Sequence, residues 1–79
     1  MDREKILQEI TEIFREVFDD DELEIFENTS AEDIEEWDSL ENINLMLSIE
    51  KLYGIKFTIQ DMSSMNNVGD MITMINEKR

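Results

Sequence analysis

The sequence predicts an all-α fold, a four-helix bundle of three main helices plus one short helix, with a long loop between the first two main helices. Three observations carry that expectation. Apolar residues recur at helical spacing in three separate stretches. Residues that cap helix starts precede those stretches and one short segment. The one run with strand-like alternation, Ile55-Lys56-Phe57, has no second run to pair with. The chain has 79 residues, which fits a single domain over 1–79. A chain of that size buries only about 60% of the surface its unfolded form exposes.

The first helix follows from Ile6, Leu7, Ile10, Ile13, Phe14, Val17 and Phe18, whose steps of one, three and four place them on one face within residues 2–18. Asp2 is its expected N-cap, and the run Asp19-Asp20-Asp21-Glu22 is expected to end it. Periodicity is then lost over 19–37. Leu23, Ile25, Phe26, Ile34 and Trp37 read as anchors that pin a long loop to the core. Ser30 with Asp33 forms a short capping pattern, predicting one helical turn near 31–34. A connection this long is uncommon in a compact domain and is often functional; the plainer reading is a crossover between helices.

Asp38 opens the second main helix, and Glu41 three residues later completes a D-x-x-E capping box. Gly54 is its expected C-cap. Ile43, Leu45, Met46, Ile49 and Tyr53 share a broad core face. Leu40 and Leu47, two turns apart, stack on a side edged by Glu41, Asn44, Ser48 and Lys51, and so read either as a docking stripe or as two more buried residues. Thr58 with Asp61 caps a short helix of about 59–65. Asn67 with Asp70 caps the last helix, whose apolar face is Val68, Met71, Ile72 and Ile75. Gly69 in its first turn weakens it slightly.

Composition narrows the function. Twenty-one acids face seven bases, for a net charge of −14. No basic residue lies between Arg15 and Lys51, and twelve acids lie from Asp19 to Glu41. Nucleic acid and anionic membrane would be repelled, while a basic protein partner would be attracted; the alternative is that the charge serves solubility alone. Without histidine or cysteine, Ser-His triads, imidazole or thiolate metal sites and disulfides are excluded. Asp19 and Asp21 resemble the start of a calcium loop, but Leu23 and Glu24 occupy its next ligand and its required glycine, so no dedicated metal site is expected. Neither a signal peptide nor a membrane span is apparent, the absence of cysteine fits the cytoplasm, and a monomer is expected. No residue combination supports independent catalysis, and the chain is expected not to be an enzyme.

Ser39 remains. With Asp38 as N-cap it is the first helical residue, beside the unpaired N–H groups and positive dipole end of the helix. A phosphate ester there is favoured. No base stands near it in sequence, so the position suits a serine that another enzyme modifies. An ordinary serine of a helix's first turn is the alternative.

Asp38-Ser39-Leu40 resembles the D-S-L motif of acyl carrier proteins, and the likeness extends across the chain. It includes the apolar first helix, the long acidic loop, Leu45, Met46 and Ile49 after the motif, Gly54 to Phe57 leading to a short helix, and the closing helix from Val68 to Ile75. The resemblance implies that a phosphopantetheinyl transferase, using coenzyme A and magnesium, attaches 4′-phosphopantetheine to Ser39. The thiol of that arm then carries acyl groups as thioesters. Asp38 would cap the helix and help present the serine to the transferase. Leu40, Glu41, Asn44, Leu47, Glu50 and Lys51 would meet acyl-loading and acyl-processing enzymes bearing basic docking patches. Met46, Met62, Met65, Met71 and Met74 could line an adaptable space between the second, third and fourth helices, with Met46, Met62 and Met65 the ones expected near a sequestered acyl chain, in keeping with the adaptability of thioethers; ordinary core filling is the alternative. Trp37 and Glu36 replace the small residue and glycine common before the motif in fatty-acid carriers, and Asn44 and Lys51 replace acids. The W-D-S-L form looks more like carriers of specialised, polyketide-like pathways. The rivals are an aminoacyl or peptidyl carrier and, in another class, an unmodified acidic helical interaction module.

Overall fold

The computed structural model describes residues 2–78. Its helices are α1 (Arg3–Val17), α2 (Ser39–Tyr53), α3 (Ile59–Ser64) and α4 (Val68–Lys78), and the described residues contain no strand. The all-α bundle expected from periodicity is therefore present, with residues 18–38 as the long connection.

Each helix starts where a capping side chain interrupts the loop. Asp2 accepts from the Glu4 N–H at 3.0 Å, Asp38 from the Glu41 N–H at 2.9 Å, and Thr58 from the Asp61 N–H at 3.0 Å. Asn67 accepts from the Asp70 N–H at 2.8 Å. Around α3 the capping box is complete, since Asp61 also accepts from the Thr58 N–H. At α2 it is only half made. The Asp38 N–H donates to the Glu36 carbonyl, while the Glu41 carboxylate accepts from Asn44 Nδ2. Gly54 ends α2 at φ 66°, left-handed backbone that glycine adopts without strain.

Ile6, Ile10 and Phe14 of α1, Leu45, Met46 and Ile49 of α2, and Val68, Met71, Ile72 and Ile75 of α4 form one core. Ile25 and Ile34 of the loop, with Ile55 and Phe57 after α2, close it. α3 contributes no fully buried residue and packs through half-buried Met62. It ends at Ser64, one residue before the expected limit.

Three expectations need correction. Ile43 is 50% exposed and Phe26 is 60% exposed. α2 is apolar around most of its circumference, so spacing alone does not say which side meets the core; Ile43 stands on the outer one. Beyond Phe26, whose N–H donates to Thr29 Oγ1, the chain turns and buries Thr29 instead. The segment at 31–34 is a turn and not helix: the Asp33 N–H closes onto the Ser30 carbonyl, and the Asp33 carboxylate takes the Ser30 N–H.

The long connection is fastened at several points. The Val68 N–H donates to the Thr29 carbonyl at 2.9 Å and the Gly69 N–H to the Glu27 carbonyl at 2.7 Å. A Cβ on Gly69 would lie 3.0 Å from that carbonyl, so glycine allows the loop to close on α4. Arg3 adds a fork: its guanidinium donates to both Glu27 carboxylate oxygens, to Thr73 Oγ1 and to the Gly69 carbonyl. Arg15 holds the other end through the Leu23 carbonyl at 2.7 Å.

Candidate functional site

Ser39 is the first residue of α2 and is exposed. The long loop delivers it there. Ile34 is buried, the Trp37 N–H donates to the Ile34 carbonyl, and the Trp37 ring packs edge-on against Phe14 with centroids 5.2 Å apart. The loop is thus held just before the motif, and Asp38 fixes the helix start. The Ser39 hydroxyl makes no hydrogen bond with the described residues, and neither do the N–H groups of Ser39 and Leu40. The site offers a free nucleophilic oxygen beside two open amide donors at the positive end of a helix of 15 residues.

The other serines are placed differently. Ser30 donates to Asp33, and Ser63 and Ser64 donate to carbonyls of α3. Ser48 is half-buried in the middle of α2. A phosphodiester fits Ser39, where the bulk of an attached group meets solvent and its charge meets the helix terminus.

A cleft of about 400 Å³ opens beside Ser39 and Asp38. Met46, Met62 and Met65, the three methionines expected near an acyl chain, all line it. Met71, Trp37 and Asn42 line it too. The sequence marks Trp37 as a loop anchor and as the departure from the fatty-acid-carrier pattern, but not as a wall of this cleft; the signal that joins it to Asn42, a spacing of five across a helix start, is too common to single it out.

The expected partner face divides. Leu40 is 67% and Leu47 is 55% exposed, and exposed Ile43 lies between them, giving an apolar stripe at i, i+3 and i+7. Asn44 and Lys51 are exposed and Glu41 is half-buried. Glu50 departs from this group. It is buried, and its carboxylate accepts the Phe57 N–H at 2.6 Å. Its role is to hold the chain that follows α2, and it is not available on the outer surface.

Among the described residues, no group of three or more acidic side chains is arranged to hold a metal ion. No helix among the described residues is long and apolar enough to cross a membrane.

Comparison with known proteins agrees with this arrangement. The family described as "Phosphopantetheine attachment site" matches residues 8–75. The acyl carrier protein of Coprothermobacter proteolyticus is 31% identical over 75 residues, spanning 95% of this chain and 92% of its own length. The solution structure of the holo acyl carrier protein of Geobacter metallireducens superposes with a TM-score of 0.85 at 44% identity, covering 91% of this chain and 83% of that one. The crystal structure of the Thermotoga maritima acyl carrier protein, 23% identical, gives the same TM-score of 0.85 over 99% of this chain and 91% of its own, a likeness of fold. With matches that extend over nearly all of its length, this chain belongs to the acyl carrier protein family, whose prosthetic group is 4′-phosphopantetheine.

Proposed function

We propose that 4′-phosphopantetheine is attached to Ser39 and that this carrier presents acyl intermediates of a specialised, fatty-acid-like or polyketide-like biosynthesis. The observation that carries the assignment is the contrast between Ser39 and the other serines. Ser39 alone combines exposure, a hydroxyl without a partner among the described residues, and a place in the first turn of a main helix. The chain has no histidine to deprotonate it, and the adjacent Asp38 carboxylate is engaged as the cap of α2. A transferase does so, as the Ser39 oxygen bonds to the phosphorus of coenzyme A's phosphopantetheine. The pyrophosphate P–O bond breaks, and adenosine 3′,5′-bisphosphate leaves with its electron pair.

When bound, the group supplies a thiol that this cysteine-free chain lacks, and acyl cargo is held there as a thioester. The chain's own residues do the rest. Asp38 keeps the start of α2 in place and contributes to transferase recognition. Leu40, Ile43 and Leu47 form the apolar line that partner enzymes cover, with Glu41, Asn44 and Lys51 along its edges. Met46, Met62 and Met65 line the space open to cargo. The protein acts as a monomeric carrier and not as a catalyst, in the cytoplasm. Trp37 before the motif, with Asn44 and Lys51 in place of acids, supports the specialised pathway. Presenting the holo protein to housekeeping elongation enzymes tests that part: turnover well below that of a housekeeping carrier is expected, and equal turnover would refute it.

A further inference from the structure

Trp37 is the chain's one tryptophan, and its surroundings are more constrained than those of a loop anchor. Its indole Nε1 donates to Asn42 Oδ1 at 3.0 Å across the first turn of α2. Its ring meets Phe14 edge-on at 87° and lies 6.5 Å from the ring of Phe18. The same residue lines the cleft beside Ser39, facing a set of methionines from three helices: Met46 of α2, Met62 of α3 and Met71 of α4. The indole therefore stands between the cleft and the aromatic cluster of α1.

We propose that Trp37, held by Asn42, sets the length of acyl chain that the cleft shelters, the indole being its fixed wall and the methionines its yielding one. The proposal rests on attachment at Ser39. Moving the indole would break an edge-on aromatic contact and leave a half-buried N–H without its acceptor. Met62 and Met65 are only partly buried and their unbranched thioethers change rotamer at little cost, whereas Met46 and Met71 are packed in the core and yield after them. A growing acyl chain thus displaces methionines first and stops at the tryptophan. A smaller ring at 37 would open the cleft toward Phe14 and Phe18, because a packed interior relaxes only partly around a lost group. At about 400 Å³ the cleft lies at the small end of ligand pockets, roughly 300–1,000 Å³, so the wall's position matters for cargo of medium length.

The test uses the full chain loaded by a transferase from acetyl-, hexanoyl-, decanoyl- and hexadecanoyl-coenzyme A. Mass spectrometry first establishes loading. Thioester cleavage by hydroxylamine and the methyl resonances of the methionines then report shelter. In the wild type, protection should rise with chain length and level off, with Met46, Met62, Met65 and Met71 methyls shifting. In Trp37→Phe, which keeps an aromatic ring against Phe14, the plateau should move to longer cargo, with several-fold slower cleavage at the first length beyond the wild-type plateau. Asn42→Ala, which releases the indole without removing it, should move the plateau the same way, and it carries the test should Trp37→Phe lose its helical signal. An unchanged plateau in folded variants, or methionine methyls indifferent to cargo, would overturn the role of Trp37. Failure of the wild type to load would instead refute attachment at Ser39.

Discussion

At Glu50 the inner and outer faces of α2 meet. Its neighbours in sequence, Ile49 and Lys51, are buried and exposed respectively, and its own carboxylate turns inward to the Phe57 N–H. A buried hydrogen bond to a charged group is worth about 1.5–3 kcal/mol, and removing one partner leaves the other unsatisfied. Glu50→Ala should therefore lower unfolding free energy by roughly 2 kcal/mol, measured by urea titration, with Glu50→Gln restoring part of it. Leu47, 55% exposed, gives the opposite outcome. Leu47→Glu should leave stability within about 0.5 kcal/mol of wild type and lower the transferase's kcat/KM toward this carrier. A large stability loss would place Leu47 in the core and remove it from the docking line. Sequence spacing could place Asp38 as the cap and Ser39 as the first residue of α2 because a helix start is decided within four residues. It could not find the burial of Glu50, whose acceptor role is created by the path of the backbone seven residues later.

The helices were legible where local chemistry decides them. Asp2, Asp38, Thr58 and Asn67 cap as their spacing implies, because an N-cap needs only its own side chain and the amides that follow. What spacing could not resolve was the orientation of α2, since an all-round apolar helix has no single preferred face. Ile43 was misplaced for that reason. Phe26 was misplaced because a loop without periodicity gives no face at all. The two glycines separate two kinds of constraint. At Gly54 a Cβ would meet nothing within 4 Å, but φ is 66°. Gly54→Ala should cost about 1–2 kcal/mol through backbone strain alone, lowering the melting temperature without disturbing the chain around it. At Gly69 the Cβ meets the Glu27 carbonyl. Gly69→Ala should speed amide exchange at Val68 and Gly69, whose N–H groups hold the loop, by more than it does elsewhere. Equal acceleration across α4 would contradict that loop contact.

Across the whole molecule, compaction opposes charge. The Cα radius of gyration is 11.4 Å, close to the roughly 12 Å expected of a compact chain of this length, yet the net charge is −14. Cations are spent on long-range ties: Arg3 to Glu27 at 2.6 Å, and Lys78 to Asp61 at 2.9 Å, which joins the end of α4 to α3. The total charge was readable from composition, but these pairings were not, because they join residues brought together only by the fold. The hydrogen bond from Lys78 holds the Asp61 carboxyl below the usual aspartate range, as Arg3 does for Glu27. A depressed folded-state pKa contributes stability above the unfolded value, and that contribution is lost as pH falls through the folded one. The stability gap between wild type and Asp61→Asn should thus be present at neutral pH and shrink below about pH 4. A gap independent of pH would show that the pair contributes nothing through charge. Added salt screens the many repulsions more than the few attractions, so the melting temperature should rise with sodium chloride from low ionic strength.

The central claim is that Ser39 accepts the prosthetic group, and peptide mapping tests it most directly. The apo protein is incubated with coenzyme A, magnesium and a broad-specificity transferase, digested, and sequenced by tandem mass spectrometry. One phosphopantetheinyl group on the peptide containing Asp38-Ser39-Leu40 is predicted, with none on Ser30, Ser48, Ser63 or Ser64 and none in Ser39→Ala. A wild-type chain that stays unmodified, or a Ser39→Ala chain that gains the group, would contradict it.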